Sequence, residues 1–305
     1  DIAERRKPQD GKMAFGRFCP EHPLELRMVT IPTVQGLEDV VLRLLTAAQA
    51  MTLEQLGLHP HTLGRFQSVV NRPHGLILLT GPTGSGKTAS LYSCLAHLRD
   101  ESVNIASVED PSEIPLEGIN QVSVNERAGL SFAHALRALL RQDPDILMVG
   151  EMRDSETAGI ALQAAQTGHL VLSTLHSNDA PSALWRLMQL GLDKTQIAHT
   201  VHLIVAQRLV RRLCLHCRIP PASPGAAWQP RGCPACHEGY RGRIGLFQVM
   251  PISAAMQGLI SRGADVQSLA RQAAEEGVRS VFEDGCDKAR QGLTTMDEVR
   301  GVAHD

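Results

Sequence analysis

The chain has 305 residues, of which 43% are hydrophobic and 20% charged, and this composition is typical of a globular protein with two or three packed units. A formal net charge of −2 and only 3% aromatic residues argue against a general affinity for nucleic acid. Apolar runs fall short of the roughly 20 residues that cross a bilayer, and no apolar stretch follows the charged start, so we expect a cytoplasmic protein.

Five segments follow one another along the chain. Residues 1–46 combine turn signals with short apolar segments and are predicted to be part of an α+β domain, and residues 47–74 are predicted to form a linker. An α/β pattern occupies residues 75–206. Arginines, cysteine pairs and Pro/Gly stretches characterise residues 207–248, and residues 249–305 indicate helices broken by glycines.

The α/β segment contains buried-strand candidates at residues 76–79, 105–108, 146–149 and 170–172. Helical patterns separate these strands, most clearly at residues 132–141 and 155–166. Strands that alternate with helices pair in parallel through right-handed crossovers, so the sequence predicts a parallel sheet with helices on its faces.

A glycine-rich loop follows the first of these strands and precedes a helical stripe. It reads Gly81, Pro82, Thr83, Gly84, Ser85, Gly86, Lys87 and Thr88, which matches the P-loop motif G-x-x-x-x-G-K-[ST] in its usual strand–helix context. The glycines let successive backbone N–H groups surround phosphate oxygens. Lys87 supplies charge to the β- and γ-phosphates, and the Thr88 hydroxyl can bind Mg²⁺. A chance match to a glycine-rich turn is the alternative, and the flanking strand and helix argue against it.

Carboxylates follow two other predicted strands. Glu151 comes directly after the strand 146–149, at the sheet edge where ligands bind in α/β proteins, and we assign it to the magnesium side of the site. Glu109 and Glu113 follow the strand 105–108, and either could serve as general base. Both acidic groups could instead be surface turns, one of them fixed by Pro111.

His176 also follows a predicted strand and could sense the γ-phosphate through a hydrogen bond. A single histidine is more often structural, so the residue pattern leaves both roles open.

Four cysteines form two Cys-x-x-Cys pairs, Cys214 with Cys217 and Cys233 with Cys236. Their separation is close to that of a zinc ribbon, in which two tight turns supply four thiolates to one tetrahedral ion. Four thiolates leave no open position, so the predicted zinc site is structural. Metal-free or redox-active cysteines are the alternative.

Together, these blocks resemble the secretion ATPases of type II secretion systems and type IV pilus assembly. The loop 81–88 is similar to the Walker A loop of that family, residues 108–113 to its Asp box, and residues 139–154 to its atypical Walker B region. Residues 167–178 are similar to its His box. The four cysteines match the zinc-binding insert of the assembly and secretion branch.

The resemblance implies a RecA-like P-loop NTPase core, preceded by the C-terminal part of a PAS-like second N-terminal domain and followed by a C-terminal helical region. It implies a homohexamer that hydrolyses ATP to drive pilus assembly or secretion. The partner would be an inner-membrane platform protein, with peripheral and indirect membrane association and no nucleic acid. Glu109, Glu113 and Glu151 become catalytic candidates, His176 gains a nucleotide-linked role, and Arg27 and Arg43 become candidate arginine fingers.

The sequence departs from the family pattern at several positions, including Lys12, where the family has Arg, and Leu37, Ser112 and Ile114. Lysine lacks the bidentate fork of arginine, which weakens the case for a finger at that position. The full-length protein is expected to extend upstream of Asp1. Two other hypotheses stay open at this point: a nucleic-acid motor with a zinc ribbon, and a nucleotide-binding scaffold without turnover.

Overall fold

The computed structural model describes residues 3–21, 24–45, 50–223 and 227–303, and the statements below concern these residues. The chain divides into two compact units. One comprises residues 1–49 with 113–115, and the other comprises residues 50–112 with 116–305. The predicted junction between the first two segments falls on residues 46–49, which lie outside the described part.

The first unit contains an antiparallel sheet of three strands in the order β1-β2-β3: β1 Gln9–Ala14, β2 Glu25–Pro32 and β3 Glu38–Leu45. The pairing register places Lys12 opposite Arg27, and Arg27 opposite Arg43. Residues that are directly opposite in neighbouring strands share one face of the sheet, so the three cationic residues form a row across this unit.

The second unit contains a seven-stranded sheet in the order β10-β9-β4-β8-β7-β5-β6. Its strands are β4 Gly75–Thr80, β5 Ile105–Glu109, β6 Asn120–Ser123, β7 Ile146–Val149, β8 Leu170–Leu175, β9 Val201–Leu213 and β10 Tyr240–Pro251. All neighbours pair in parallel except β9 and β10, which form an antiparallel hairpin. The parallel sheet predicted from the alternating pattern is confirmed.

Helices cover the sheet and complete the unit. They are α1 Pro60–Val70, α2 Lys87–Leu98, α3 Phe132–Leu139, α4 Ser155–Gln166, α5 Ala180–Gln189, α6 Lys194–Thr200, α7 Ala254–Arg262, α8 Val266–Glu275, α9 Val281–Arg290 and α10 Met296–Arg300. Side chains such as Asp154 and Asp179 cap helix N-termini by accepting backbone N–H bonds, which fixes where those helices begin. Within the described ranges, no helix is both long and apolar enough to span a membrane.

Two predicted boundaries fall inside strands of the hairpin. Residue 207 lies within β9 and residue 248 within β10, because the backbone pairing continues there, with Gln207 opposite Phe247. The predicted boundary at residue 207 follows the change in composition, where arginines become frequent. The backbone pairing of β9 with β10 continues past that point, as far as Leu213 and Tyr240. The segment 47–74 contains α1, whose Phe66, Val69 and Val70 are buried against the rest of the unit.

Candidate active site and cysteine cluster

The glycine-rich loop connects β4 to α2, at the carboxyl edge of the parallel sheet. Gly81, Gly84 and Gly86 have φ angles of 147°, 78° and 87°, in the left-handed region that side chains with a Cβ rarely adopt. The Nζ of Lys87 donates to the carbonyl oxygens of Gly81 at 2.8 Å and Pro82 at 3.0 Å, so the lysine holds the loop closed on itself. The backbone conformation is one that can surround a phosphate group.

Charged neighbours act on this lysine. Burial lowers the pKa of Lys87, the Glu151 carboxylate partly offsets that effect, and Arg208 adds to it. A phosphate anion in the loop would favour the charged ammonium, because an opposite charge at short range offsets desolvation.

Glu151 lies just beyond β7, and its side chain is 16% exposed. One carboxylate oxygen accepts from the guanidinium of Arg153, and the other is 3.5 Å from Nε2 of His176. Oγ1 of Thr174 donates a hydrogen bond of 2.7 Å to the carbonyl oxygen of Gly150. This bond joins the end of β8, which precedes His176, to the end of β7, which precedes Glu151. The fold therefore brings Glu151 and His176 together, and it adds Arg153, which sequence reasoning did not select although it stands two residues after Glu151.

The carboxylate of Glu109 is enclosed by protein groups, whereas a general base needs a carboxylate that water can reach. It is the last residue of β5 and is 3% exposed. Its Oε2 accepts from the Tyr92 hydroxyl, and its Oε1 accepts from Oγ of Ser107 at 2.6 Å and Nε2 of Gln121 at 3.0 Å. Because Tyr92 belongs to α2, this carboxylate anchors the helix that follows the glycine-rich loop. Glu113 is exposed and belongs to the segment grouped with the first unit.

Arg27 and Arg43 lie in the first unit, in the row with Lys12 described above. Lys12 has an acidic neighbour, with Nζ 3.8 Å from Oε1 of Glu25. Like charges directly opposite one another destabilise a sheet by a few tenths of a kcal/mol to about 1 kcal/mol. The row concentrates positive charge on one face of this sheet, and the finger roles of Arg27 and Arg43 stay predictions.

The four cysteines form one cluster, with all sulfur atoms within 4.8 Å of one another. The Sγ–Sγ distances are 3.9 Å for Cys214 and Cys233, 3.7 Å for Cys217 and Cys236, and 3.6 Å for Cys233 and Cys236. A tetrahedron with Zn–S bonds of about 2.3 Å has edges of about 3.8 Å, whereas a disulfide joins its sulfurs at about 2.05 Å. The cluster therefore has the spacing of a four-thiolate zinc site.

The thiols of the cluster differ in acidity. Burial alone would raise the pKa of Cys236, but the backbone N–H of Cys233 and the neighbouring thiols lower it to about 7. Burial raises the pKa of Cys217 to about 11. Metal binding would deprotonate these thiols together.

A parallel sheet, a P-loop at the end of β4 and carboxylates at the ends of adjacent strands define a P-loop NTPase with a RecA-like core. The chain belongs to the Type II/IV secretion system protein family, whose match covers residues 1–301.

Curated relatives support this membership. The chain is 49% identical to "Protein transport protein HofB homolog" of Escherichia coli over 319 residues, which cover 100% of this chain and 68% of the relative. It is 47% identical to "Type II secretion system protein HxcR" of Pseudomonas aeruginosa, with 100% and 64% covered, and 44% identical to "Type IV pilus assembly ATPase PilB" of the same organism, with 100% and 56% covered. The chain thus spans between about half and two thirds of the length of these relatives.

A solved structure of the "Pilus Retraction Motor PilT and Bound ADP" is 27% identical and superposes with a TM-score of 0.74, covering 98% of this chain and 78% of that one. The Legionella pneumophila ATPase DotB, at 23% identity and a TM-score of 0.73, has the same fold. The expected fold class is confirmed.

Proposed function

We propose that this chain is the ATP-hydrolysing part of a motor that drives type II protein secretion or type IV pilus assembly. The observation that carries the proposal is the convergence of the Lys87 loop, Glu151 and His176 at one edge of the sheet. The names of relatives that are 43 to 49% identical support it, since they include type II secretion proteins and type IV pilus assembly ATPases. These names do not favour a nucleic-acid motor.

ATP and Mg²⁺ fit the residues of the site. The loop offers backbone N–H groups and Lys87 to phosphates, the Thr88 hydroxyl follows Lys87, and Glu151 supplies a carboxylate. Magnesium would add Lewis-acid stabilisation of the phosphate oxygens. Glu113 is the candidate general base, because Glu109 is enclosed by its three donors.

Zinc fits the cysteine cluster, because its donors are soft thiolates at tetrahedral spacing. The cluster is closed, with Cys214 buried and the other three partly buried. A zinc ion there would stabilise the end of the β9–β10 hairpin and take no part in the chemistry at Lys87.

The quaternary and cellular setting belongs to the same proposal. A homohexameric ring would place Arg27 and Arg43 at active sites, and an inner-membrane platform protein would recruit the ring to the cytoplasmic face of that membrane. Association with the membrane would then be peripheral and indirect, and no nucleic acid would take part. The pathway, secretion or pilus assembly, would follow from the identity of the membrane partner.

The test is phosphate release by the purified chain with ATP and Mg²⁺, with and without single-stranded DNA. Turnover that depends on Mg²⁺ and does not respond to DNA supports the motor. Strong stimulation by DNA would instead support the nucleic-acid hypothesis. Tight nucleotide binding without turnover, in a preparation that has formed rings, would indicate a scaffold.

A further inference from the structure

Strand β9 runs directly beside the strand that leads into the glycine-rich loop. In the parallel pairing of β4 and β9, Thr80 is the partner of Ala206. The next residues of the two strands are therefore Gly81 on one side and Gln207 and Arg208 on the other. The proposed function assigns no role to Gln207 or Arg208, yet both meet the loop at its first glycine.

The backbone of Gln207 comes unusually close to Gly81. A Cβ placed on Gly81 would lie 2.4 Å from the carbonyl oxygen of Gln207 and 3.2 Å from Nη1 of Arg208. A Cβ on Gly86 would lie 2.9 Å from Nε2 of Gln207. A Cβ at either position would force a neighbouring atom to move, so both glycines pack closely against β9.

The side chain of Gln207 is 3% exposed and also contacts the helix that follows the loop. Its Oε1 accepts a hydrogen bond of 2.8 Å from Oγ of Ser90, which is 2% exposed. Ser90 stands three residues after Lys87, on the first turn of α2. A buried hydrogen bond of this kind fixes its two partners, because breaking it leaves a desolvated polar group without compensation from water.

The guanidinium of Arg208 links strand β9 to the loop before α5. Its Nη2 donates to the carbonyl oxygen of Asn178 at 2.8 Å, and its Nη1 donates to the carbonyl oxygen of Gln207 at 3.1 Å. Asn178 lies two residues after His176 and immediately before Asp179, which caps α5. The planar fork of arginine can satisfy both carbonyls at once, whereas the single ammonium of lysine lacks that fork.

We propose that Gln207 and Arg208 are positioning residues for ATP turnover. Gln207 sets the glycine-rich loop and the first turn of α2 against β9, and Arg208 sets the loop 176–179, which carries His176, against the same strand. The strand thereby fixes the distance between the phosphate loop and the histidine loop. This inference rests on the proposed ATPase function, and it adds two residues that act through the loops they contact.

The Arg208 test compares Arg208→Gln and Arg208→Lys with Arg65→Gln, which removes an exposed arginine from α1. For Arg208→Gln we expect kcat to fall about tenfold or more, because small displacements of catalytic groups are costly, while the Kd of a fluorescent ATP analogue changes less than about threefold. Arg208→Lys should recover part of the loss. Hydrogen exchange of residues 176–179 should rise in Arg208→Gln and stay unchanged in the control.

Unchanged exchange at residues 176–179 in Arg208→Gln would overturn the assignment of Arg208, and so would a rise in exchange spread evenly over the whole chain. These readouts need no turnover. An inactive wild-type protein would therefore count against the proposed function alone, and the exchange data would still decide the inference.

The Gln207 test is a double-mutant cycle with Ser90→Ala and Gln207→Leu, read by the Kd for ATP. If Gln207 acts through Ser90, each single variant should weaken ATP binding by about three- to thirtyfold, and the double variant should be little worse than either. Additive effects, or unchanged affinity in both single variants, would overturn the assignment of Gln207.

Discussion

Arg153 donates a charge-assisted hydrogen bond to the carboxylate of Glu151, and its other terminal nitrogen is 3.5 Å from Oδ2 of Asp110. The guanidinium thus links the acidic residue that follows β7 to the one that follows β5. The Glu151 bond is the main reason that the pKa of Arg153 is raised, although burial acts in the opposite direction. Glu151 is held between Arg153 and His176, so its carboxylate has a defined position before any metal binds.

We expect Glu151→Gln to bind ATP with an affinity close to that of the wild type and to lose at least about 100-fold in kcat, because the neutral amide cannot stabilise a metal ion. The measurement is steady-state phosphate release together with nucleotide titration. Glu117→Gln, at a side chain that is 96% exposed, is the matched control. A near-normal rate in Glu151→Gln would reject its metal-side role.

Lys87→Ala should weaken ATP binding by at least about tenfold, since it removes the only side-chain cation of the loop 81–88. It also removes the bonds to the carbonyls of Gly81 and Pro82, so thermal unfolding should be recorded alongside nucleotide titration. Lys7→Ala, at an exposed position, controls for the loss of a positive charge. Unaltered ATP affinity in a folded Lys87→Ala protein would contradict the assignment of the loop.

Glu109 and Glu113 should respond differently to substitution. Glu109→Ala removes the carboxylate that accepts from Tyr92, Ser107 and Gln121, and we expect it to lower the free energy of unfolding by about 2–4 kcal/mol. Glu113→Gln should lower kcat with little change in thermal stability. Chemical denaturation and turnover should be measured on both variants, since they distinguish a structural role of Glu109 from a catalytic role of Glu113. A Glu109→Ala protein that is stable but inactive would indicate that Glu109 is the general base.

Metal analysis of the purified chain should find about one zinc ion per molecule. Cys236→Ser should reduce that content and lower the melting temperature, because three thiolates bind zinc more weakly than four. Cys286→Ser, which changes a partly buried cysteine outside the cluster, should keep the zinc. A stable wild-type protein free of zinc would refute the structural metal site.

The stability contributed by Glu298 should depend on pH. Burial alone would raise the pKa of Glu298, but hydrogen bonds from the side chain and backbone of Arg211 outweigh it and hold the pKa below the ordinary 4.5. A carboxyl whose pKa is lower in the folded state stabilises the protein above its unfolded pKa, and this contribution disappears as pH falls through the folded value. We expect Glu298→Gln to cost about 1–2 kcal/mol at pH 7 and progressively less below pH 4.5. The measurement is urea unfolding of the wild type and Glu298→Gln at pH 7 and below pH 4.5. A difference in unfolding free energy that does not change with pH would contradict this prediction.

Much of the central sheet could be predicted from the sequence because its strands are buried on both faces. The apolar runs at residues 76–79, 105–108 and 146–149 became β4, β5 and β7, and the helical pattern at residues 155–166 became α4. Strand β6 was missed, since it is an edge strand with partly exposed residues and has no apolar run. The β9–β10 hairpin was also missed, because its pairing joins segments separated by the cysteine region.

The side chains at the strand ends were harder to assign. Parallel topology predicts that Glu109, Glu151 and His176 reach the same edge, but it does not say which way a carboxylate points. Glu109 turns toward Tyr92 and Glu151 toward His176, and the difference depends on packing between elements that are distant in sequence. The contacts of Arg208 could not be predicted from the sequence, because its two acceptors are backbone carbonyls.

The cysteine cluster is inserted between two paired strands of the main sheet. Leu213, the last residue of β9, pairs with Tyr240, the first residue of β10, so the two ends of the insert lie about 5 Å apart. A gap of that size is one that a two-residue hairpin turn such as Asn-Gly can close. The cysteine region is therefore an insertion in a hairpin: a short turn could join the same two strand ends and leave their register unchanged.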